Sequence, residues 1–371
     1  MQYKKEKVIF IMPSLRGGGA ERVIVTLLKH LDRNKFRLTL AVVDTREMVY
    51  RDELPSDVEF IDLGVTRVRY ALLRIITLIW KRRPDVVFST LGHLNLSLSM
   101  IRPFLPRRGY YIAREAIIVS EQLKLSSYPS FWGMLYRRFY KRHDRLVCQT
   151  HCMQSDLVEG FGFPVERSVV IHNPVDIGKI DRDITKSHEQ LGFPVGCIRL
   201  VAAGRMTETK GFHLLVDAIA LLDNPKIHLC ILGEGALLDE FKQRAVAKGV
   251  SGQVDFVGFQ ANPYIWFAQA DAFVLSSHFE GLPNVVLEAL ACGTPVIATP
   301  ALGGIQKILN DICDCVIADE ISAASLANAI GKWLSGPRNR IHRTVVAPYR
   351  LEHIVAQYES LLQVAAPKSE I

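Results

Sequence analysis

Short, wholly apolar runs alternate with helix-length amphipathic runs along most of the chain. "KVIFIM" (7–12) leads into "AERVIVTLLKHL" (20–31), then "RLTLAVVD" (37–44), "VEFIDL" (58–63) and a helical stretch over 67–82. "DVVFST" (85–90), "GYYIA" (109–113), "RLVCQT" (145–150) and "SVVIHN" (168–173) continue the series. A second set opens at "IRLVAAG" (198–204) and runs through "IHLCILG" (227–233), "QVDFVG" (253–258), "DAFVLS" (271–276) and "TPVIAT" (294–299). Fully apolar strands separated by helices predict parallel sheets covered on both faces. Between the sets, residues 173–196 are polar, marked by Pro and Gly, and follow no clear period. The pattern predicts an α/β protein of two doubly wound domains joined there. A helix over 348–363 follows the second set and is free to pack elsewhere.

Length agrees with that division, since single cores stop growing near ~250–300 residues and the chain has 371. No run of ~20 uninterrupted apolar residues suggests a membrane span; the nearest, "YALLRIITLIW" (70–80), is short and contains Arg74. The start, "MQYKKEKVIFIMPSL", reads as a buried first strand rather than a signal peptide. Seven cysteines, among them Cys148, Cys197, Cys230 and Cys292, are scattered over apparent strands and helices. Cys148/Cys152 and Cys313/Cys315 have no matching second pair for zinc, so reduced thiols in a cytosol are expected. Charge changes the picture more. Residues 1–150 hold 27 Lys+Arg against 14 Asp+Glu, whereas the remainder holds 18 against 24. Basic clusters stand at 81–84, 102–108 and 130–145, the last mixing Phe131, Trp132 and Phe139 with Arg137, Arg138 and Lys141. That mixture suits a helix lying on an anionic membrane surface, or an ordinary core helix with a basic solvated face. No zinc-finger, basic-zipper or RNP pattern points to nucleic acid.

Three stretches carry candidate chemistry. "SLRGGGAER" (14–22) follows the first strand and opens a helix; Gly17 and Gly19 match the first two glycines of a dinucleotide fingerprint, and Asp44 stands where a ribose-binding acid would. Arg22 occupies the third position, where close helix–sheet packing needs Gly or Ala, which argues against NAD. "GRMTETKG" (204–211) is not a Walker loop, yet it sets Arg205 and Lys210 on one strand-end loop beside a helix start, where two cations would neutralise a diphosphate. "HFEGLPNVVLEALACGTPVIAT" (278–299) places two carboxylates, Glu280 and Glu288, in an otherwise apolar stretch. Burying a carboxylate costs several kcal/mol unless something polar meets it. Pro283 as first helical residue would start a helix over 284–292, with Glu280 before it and Glu288 one turn inside. The amides of that start form an anion cradle between two hydroxyl-accepting carboxylates. A sugar nucleotide fits that description, and so does a capped core helix with one solvated Glu.

In order and spacing, "AAGRMTETKG", "LGEGALLDEF" (232–241), "VGF" (257–259) and "SSHFEGLPNVVLEALACGTPVIAT" resemble the retaining glycosyltransferases of family 4, with the GT-B fold. "GGAERV" (18–23) matches the first-domain glycine loop and "NPVD" (173–176) the linker, so the resemblance spans nearly the whole chain. The E-x7-E element from Glu280 to Glu288 is its most specific part. The resemblance implies two domains facing a cleft: an acceptor-side domain over 1–175, with a C-terminal helix (346–366) packing back on it, and a nucleotide-sugar-binding domain over 190–345. It implies that Glu288 holds the ribose hydroxyls and Glu280 meets the transferred sugar. Arg205 and Lys210 would bind the donor diphosphate, and the segment Gly281, Leu282, Pro283, Asn284 the sugar or phosphate. Gly258 would lie near the base, Gly18 and Gly19 near the diphosphate or acceptor, and His93, in "STLGHLN" (89–95), would contact the donor. Some positions depart from the family pattern: Arg114 and Glu115 stand where Thr-x-His is common, Lys307 where an acid is usual, and "DICDCVI" (311–317) lacks the usual Gly.

The expectation is therefore a cytosolic, membrane-associated retaining transferase. It would move a hexose or N-acetylhexosamine from a nucleotide sugar, UDP-linked, to a lipid-linked glycan at an anionic membrane. The resemblance implies no cofactor or metal, and no Asp-x-Asp motif stands at a strand end. An epimerase or phosphorylase of the same fold, and a non-catalytic sugar-nucleotide-binding scaffold, are the competing readings; no motif for a pyridoxal phosphate lysine supports a phosphorylase.

Overall fold

The computed structural model describes residues 5–186 and 191–364. The expected start of the second domain at 190 and the expected helix end at 365–366 thus lie outside the described residues. The chain forms two compact units, one up to Pro174 together with the segment from Glu352 on, the other Val175–Leu351.

The first unit follows the apolar/amphipathic alternation: β1 (Glu6–Met12), α1 (Gly19–His30), β2 (Phe36–Val42), β3 (Glu59–Asp62), α2 (Val68–Arg82), β4 (Val86–Thr90), α3 (Gly92–Ile101), β5 (Tyr110–Arg114), α4 (Val119–Lys124), α5 (Pro129–Phe139), β6 (Arg145–Cys148), α6 (His151–Ser155) and β7 (Ser168–Val170). All seven strands are parallel, in the order β3-β2-β1-β4-β5-β6-β7. Strand neighbours alternate in the direction their side chains point. Ile9, Ile11, Val87 and Tyr111 therefore share one face, under Ala71, Ile75 and Ile79 of α2 and Leu94 and Leu98 of α3. Farther along that face Ala113 and Leu146 meet Leu96 of α3 and Tyr136 of α5.

The second unit contains α7 (Ile177–Lys186), β8 (Ile198–Ala203), α8 (Phe212–Leu222), β9 (Ile227–Leu232), α9 (Leu238–Ala247), β10 (Val254–Gly258), α10 (Tyr264–Gln269), β11 (Ala272–Leu275), α11 (Asn284–Ala291), β12 (Val296–Ala298), α12 (Ile305–Leu309), β13 (Val316–Ile317) and α13 (Ala323–Leu334). Its six strands are parallel in the order β10-β9-β8-β11-β12-β13. One face packs on α10, α11 and α12, the other on α8, α9 and α13. Cys148, Cys230 and Cys292 are buried thiols within the two units.

Three expectations are corrected. The stretch read as an aperiodic linker contains α7, because Ile177, Ile180 and Ile184 recur at helical spacing and pack into the second unit's core. That helix belongs to the second unit, which begins at Val175 rather than near 190. Residues 346–349 are not the start of the last helix: a 3₁₀ turn over Arg343–Tyr349, holding Pro348, remains with the second unit, and α14 (Leu351–Val364) follows it. β13 is a further addition, too short to register in the pattern.

α14 packs on the opposite face of the first unit's sheet from α2. Phe10, Phe88 and Tyr358 form a chain of ring contacts at 5.0 and 6.0 Å. The wholly buried Arg114 donates from Nε to the Tyr358 hydroxyl at 3.1 Å and from a terminal nitrogen to Asn173 Oδ1 at 2.5 Å. A buried guanidinium needs such partners, and the last helix supplies one of them.

Candidate active site

In the second unit, loops at the carboxyl ends of β8 and β11 are joined by backbone and side-chain bonds. The Ser276 hydroxyl donates to the Lys210 carbonyl at 2.8 Å and the His278 amide to the Thr209 carbonyl at 2.9 Å. Gly211 makes the approach possible: its φ is +61°, and a Cβ there would stand 2.1 Å from the Ser276 carbonyl oxygen. A loop following β12 closes on the other flank. The Glu280 amide donates to Leu302 O at 2.8 Å, the Gly304 amide to Gly281 O at 3.1 Å, and a Cβ on Gly303 would lie 2.0 Å from Glu280 O. Glu280 is thereby clamped between two loops.

The result is a charge pair. Lys210 Nζ donates to Glu280 Oε1 at 2.5 Å, and the Ser277 hydroxyl donates to the same oxygen at 2.6 Å. The Glu280 side chain is 12% exposed and that of Lys210 25% exposed, so desolvation is largely offset by the partner rather than by water. Glu288 is the fifth residue of α11 and is buried. The helix starts at Asn284, and Pro283 is its N-cap rather than its first residue, with extended backbone at φ −72°, ψ 99°; Gly281, Leu282 and Pro283 are buried beneath this start. Arg205 follows β8 with an exposed side chain and forms no ion pair among the described residues. Gly258 ends β10 at φ +83°, and its carbonyl accepts from the Gly233 amide at 2.8 Å. Lys307, on α12, is exposed.

Gly18, Gly19 and His93 stand in the first unit. The Gly18 amide is engaged internally: the buried Glu21 carboxylate accepts from it at 2.8 Å and from the Ser14 hydroxyl at 2.6 Å. Gly18 therefore offers a ligand its Cα surface rather than its N–H, while Gly19 opens α1 and is exposed. Asp44 accepts from Arg16 at 2.6 Å and from Arg46 at 2.9 and 2.7 Å, which holds its carboxyl down at about 2. A carboxylate so occupied is poorly placed to take a ribose, in keeping with the argument against NAD. His93 is the second residue of α3, and surrounding protein lowers its pKa by desolvation. The preceding Leu91 has φ +76°, a costly conformation for a residue with a Cβ.

The structure thus gathers Lys210, Glu280 and the 281–284 segment at neighbouring strand ends of one unit, with Glu288 on α11, the helix that follows. Pattern reading missed Ser277, Gly211, Gly303 and Glu21. Glu21 was discoverable, standing three residues after Gly18 as an acid able to reach back to the helix start. The glycines signal nothing until the loops they let approach are known.

Comparison with known proteins supplies the family. The description "Glycosyltransferase Family 4" matches residues 17–179 and "Glycosyl transferases group 1" residues 183–347. The chain is 33% identical to the lipopolysaccharide core biosynthesis glycosyltransferase LpsE of Rhizobium meliloti, over 64% of this chain and 68% of that one. It is 27% identical to the N-acetylgalactosamine-N,N'-diacetylbacillosaminyl-diphospho-undecaprenol 4-alpha-N-acetylgalactosaminyltransferase of Campylobacter jejuni, over 82% and 84% of the two chains. The fold is similar to that of Anabaena Alr3699/HepE in complex with UDP-glucose, with a TM-score of 0.80 at 20% identity, covering 97% of this chain and all of that one. With two parallel-sheet units, both family descriptions matched and the E-x7-E pair running from a strand-end loop into α11, the chain belongs to family 4 of the glycosyltransferases and has the GT-B fold.

Proposed function

We propose that the protein transfers a hexose or N-acetylhexosamine from a UDP-sugar, with retention, to a lipid-linked glycan acceptor during surface glycan assembly. The Lys210–Glu280 pair carries the reading: a cation and a carboxylate 2.5 Å apart at parallel strand ends, where such sheets bind ligands. In this reading Lys210 and the exposed Arg205 take the donor diphosphate, and Glu280 orients the sugar hydroxyls. Glu288 takes the ribose, and Gly258 flanks the base. Gly18 and Gly19 approach the diphosphate or the acceptor, and His93 contacts the donor. UDP as the carrier is supported by the UDP-glucose complex of the structurally similar HepE. The lipid-linked acceptor is supported by the diphospho-undecaprenol acceptor in the Campylobacter relative's name.

Retention requires that the new bond form on the face from which the old one breaks. In the reaction proposed, the bond from anomeric carbon to phosphate oxygen breaks and its electron pair stays on the diphosphate. The acceptor hydroxyl attacks the same face, and its proton passes to the departing phosphate oxygen. Charge grows on the diphosphate as the bond breaks, so Lys210 and Arg205 interact more strongly with the transition state than with the bound donor. No cofactor or metal enters this scheme, and a chelator is expected to leave turnover unchanged. The basic first unit would bring the enzyme, cytoplasmic and peripheral, to the inner face of an anionic membrane.

The test is a thermal-shift panel with UDP, GDP, ADP and NAD on wild type, Lys210→Ala and Glu288→Ala, followed by sugar transfer with UDP-sugars. A ligand at ~100 times its Kd adds roughly 2.7 kcal/mol, a shift of several degrees. A shift with UDP alone, lost in both variants and followed by turnover, supports the proposal. UDP binding without turnover of any donor would favour a scaffold role, and a UDP shift unaffected by either substitution would place the site elsewhere.

A further inference from the structure

α2, which contains the apolar run 70–80, turns part of that run outward. Tyr70, Leu73 and Trp80 recur along one side of the helix with 58%, 78% and 51% exposure, and Phe104 beside Trp80 is 67% exposed. Soluble surfaces carry scattered apolar residues, but a contiguous stripe marks an interaction site. The Trp80 indole N–H is satisfied by the Phe104 carbonyl at 2.9 Å, so the ring is outward without an unmet donor. Arg74, within the stripe, donates to the Leu63 and Gly64 carbonyls and thereby folds back onto the protein. A second apolar group stands on the same sheet face: α3 packs between α2 and α5, and α5 exposes Phe131, Trp132 and Met134.

Charge identifies the occupant. From Val65 to Arg114 the chain has ten Lys+Arg and one acidic residue, Asp85. Arg67, Lys81, Arg83, Arg107 and Arg108 are exposed and form no ion pair among the described residues. A second copy of this chain docking through the same face by a two-fold axis would set like charges against each other. A membrane rich in anionic lipid answers both features, with rings and Leu73 entering the headgroup boundary and cations meeting phosphates. No helix among the described residues is long and apolar enough to cross a membrane, and α2 would lie along one.

We propose that the outer faces of α2 and α5, with the turn at Phe104, form one docking surface for an anionic lipid bilayer, with Tyr70 and Leu73 as its apolar anchor. This deepens the peripheral-membrane part of the proposed function and names the residues that carry it. The test is co-sedimentation of the full chain with phosphatidylcholine vesicles, with and without phosphatidylglycerol, at low and high salt. Variants are Tyr70→Gln/Leu73→Gln and, separately, Phe131→Gln/Met134→Gln; these side chains are exposed, and far-UV circular dichroism checks the fold. Expected are binding to anionic vesicles only, weakened by salt, and a loss of at least about tenfold in partition for the α2 variant with UDP binding unchanged. Equal binding to neutral vesicles, or indifference to both double substitutions, overturns the proposal. So does concentration-dependent self-association that the α2 variant abolishes, which would make this face a protein interface. UDP binding is read in the same samples, so failure of docking and failure of the donor reading are told apart.

Discussion

Among the described residues no cation is bonded to the Glu115 carboxyl, although Arg114 is its chain neighbour. Oε1 accepts from Asn95 Nδ2 at 2.8 Å and from the Tyr140 hydroxyl, Oε2 has no partner among the described residues, and the residue is wholly buried. Arg114 points to the other side of the sheet, toward Tyr358 and Asn173. Desolvation therefore dominates and pushes Glu115 up to about 8 from an ordinary 4.5. The unfolded chain releases this proton near 4.5 while the folded chain keeps it until about 8. Stability contributed by this group is thus complete below pH ~4.5 and declines as pH rises toward ~8. Glu115→Gln is expected to raise the melting temperature by several degrees near pH 7.5 and by little at pH 5, read from melting curves across that range. A flat difference between the two proteins would mean that the carboxyl is ionised when folded. In sequence, "AREA" gave only a departure from a family pattern; burial, which decides the chemistry, depends on α3 and α5 folding over it.

Among the elements, the loops after β8, β11 and β12 are set by backbone approach as much as by side chains. Gly211→Ala would place a methyl group 2.1 Å from a carbonyl oxygen at φ +61°, so the loops holding Lys210 and Glu280 must separate. Strain of this kind costs about 1–3 kcal/mol before the clash is added. The variant is expected to unfold at lower urea and, where still folded, to bind UDP at least about tenfold more weakly, since 1.4 kcal/mol is a factor of ten; titration calorimetry checks the second part. Unchanged affinity would show that donor binding does not need this spacing. The strands were legible because parallel sheets buried on both faces need unbroken apolar runs, and all but two-residue β13 stood out. α7 was not, because Lys179, Asp181 and Asp183 make its outward side look like a linker while its isoleucines are spaced a turn apart. The E-x7-E pair was legible by spacing; its partner Lys210, seventy residues upstream, is explained only by the neighbouring strand order β8-β11.

For the whole molecule, the decisive fact is that the second unit is inserted between two parts of the first. Its ends are bonded together, the Val175 amide to Tyr349 O at 2.7 Å and the Leu351 amide to Val175 O at 3.1 Å. A chain cut after Leu351 keeps that junction but loses Tyr358 and the Glu359 carboxylate that Lys35 meets at 2.6 Å. Such a truncation is expected to leave UDP binding in the second unit while the first becomes protease-sensitive and prone to aggregate. Limited proteolysis followed by mass spectrometry of the fragments would show whether damage is confined in this way; equal resistance of both units would show that α14 is dispensable.

The placement of α14 also has a consequence in time. On the ribosome the first unit's seven strands emerge before any of the second, yet Phe88 and Arg114 wait for α14, which is translated only after the second unit. The unit translated before its neighbour is completed after it. During that interval the nascent sheet has one uncovered aromatic face and a guanidinium without its tyrosine, so growing chains, more than finished ones, would call on chaperones.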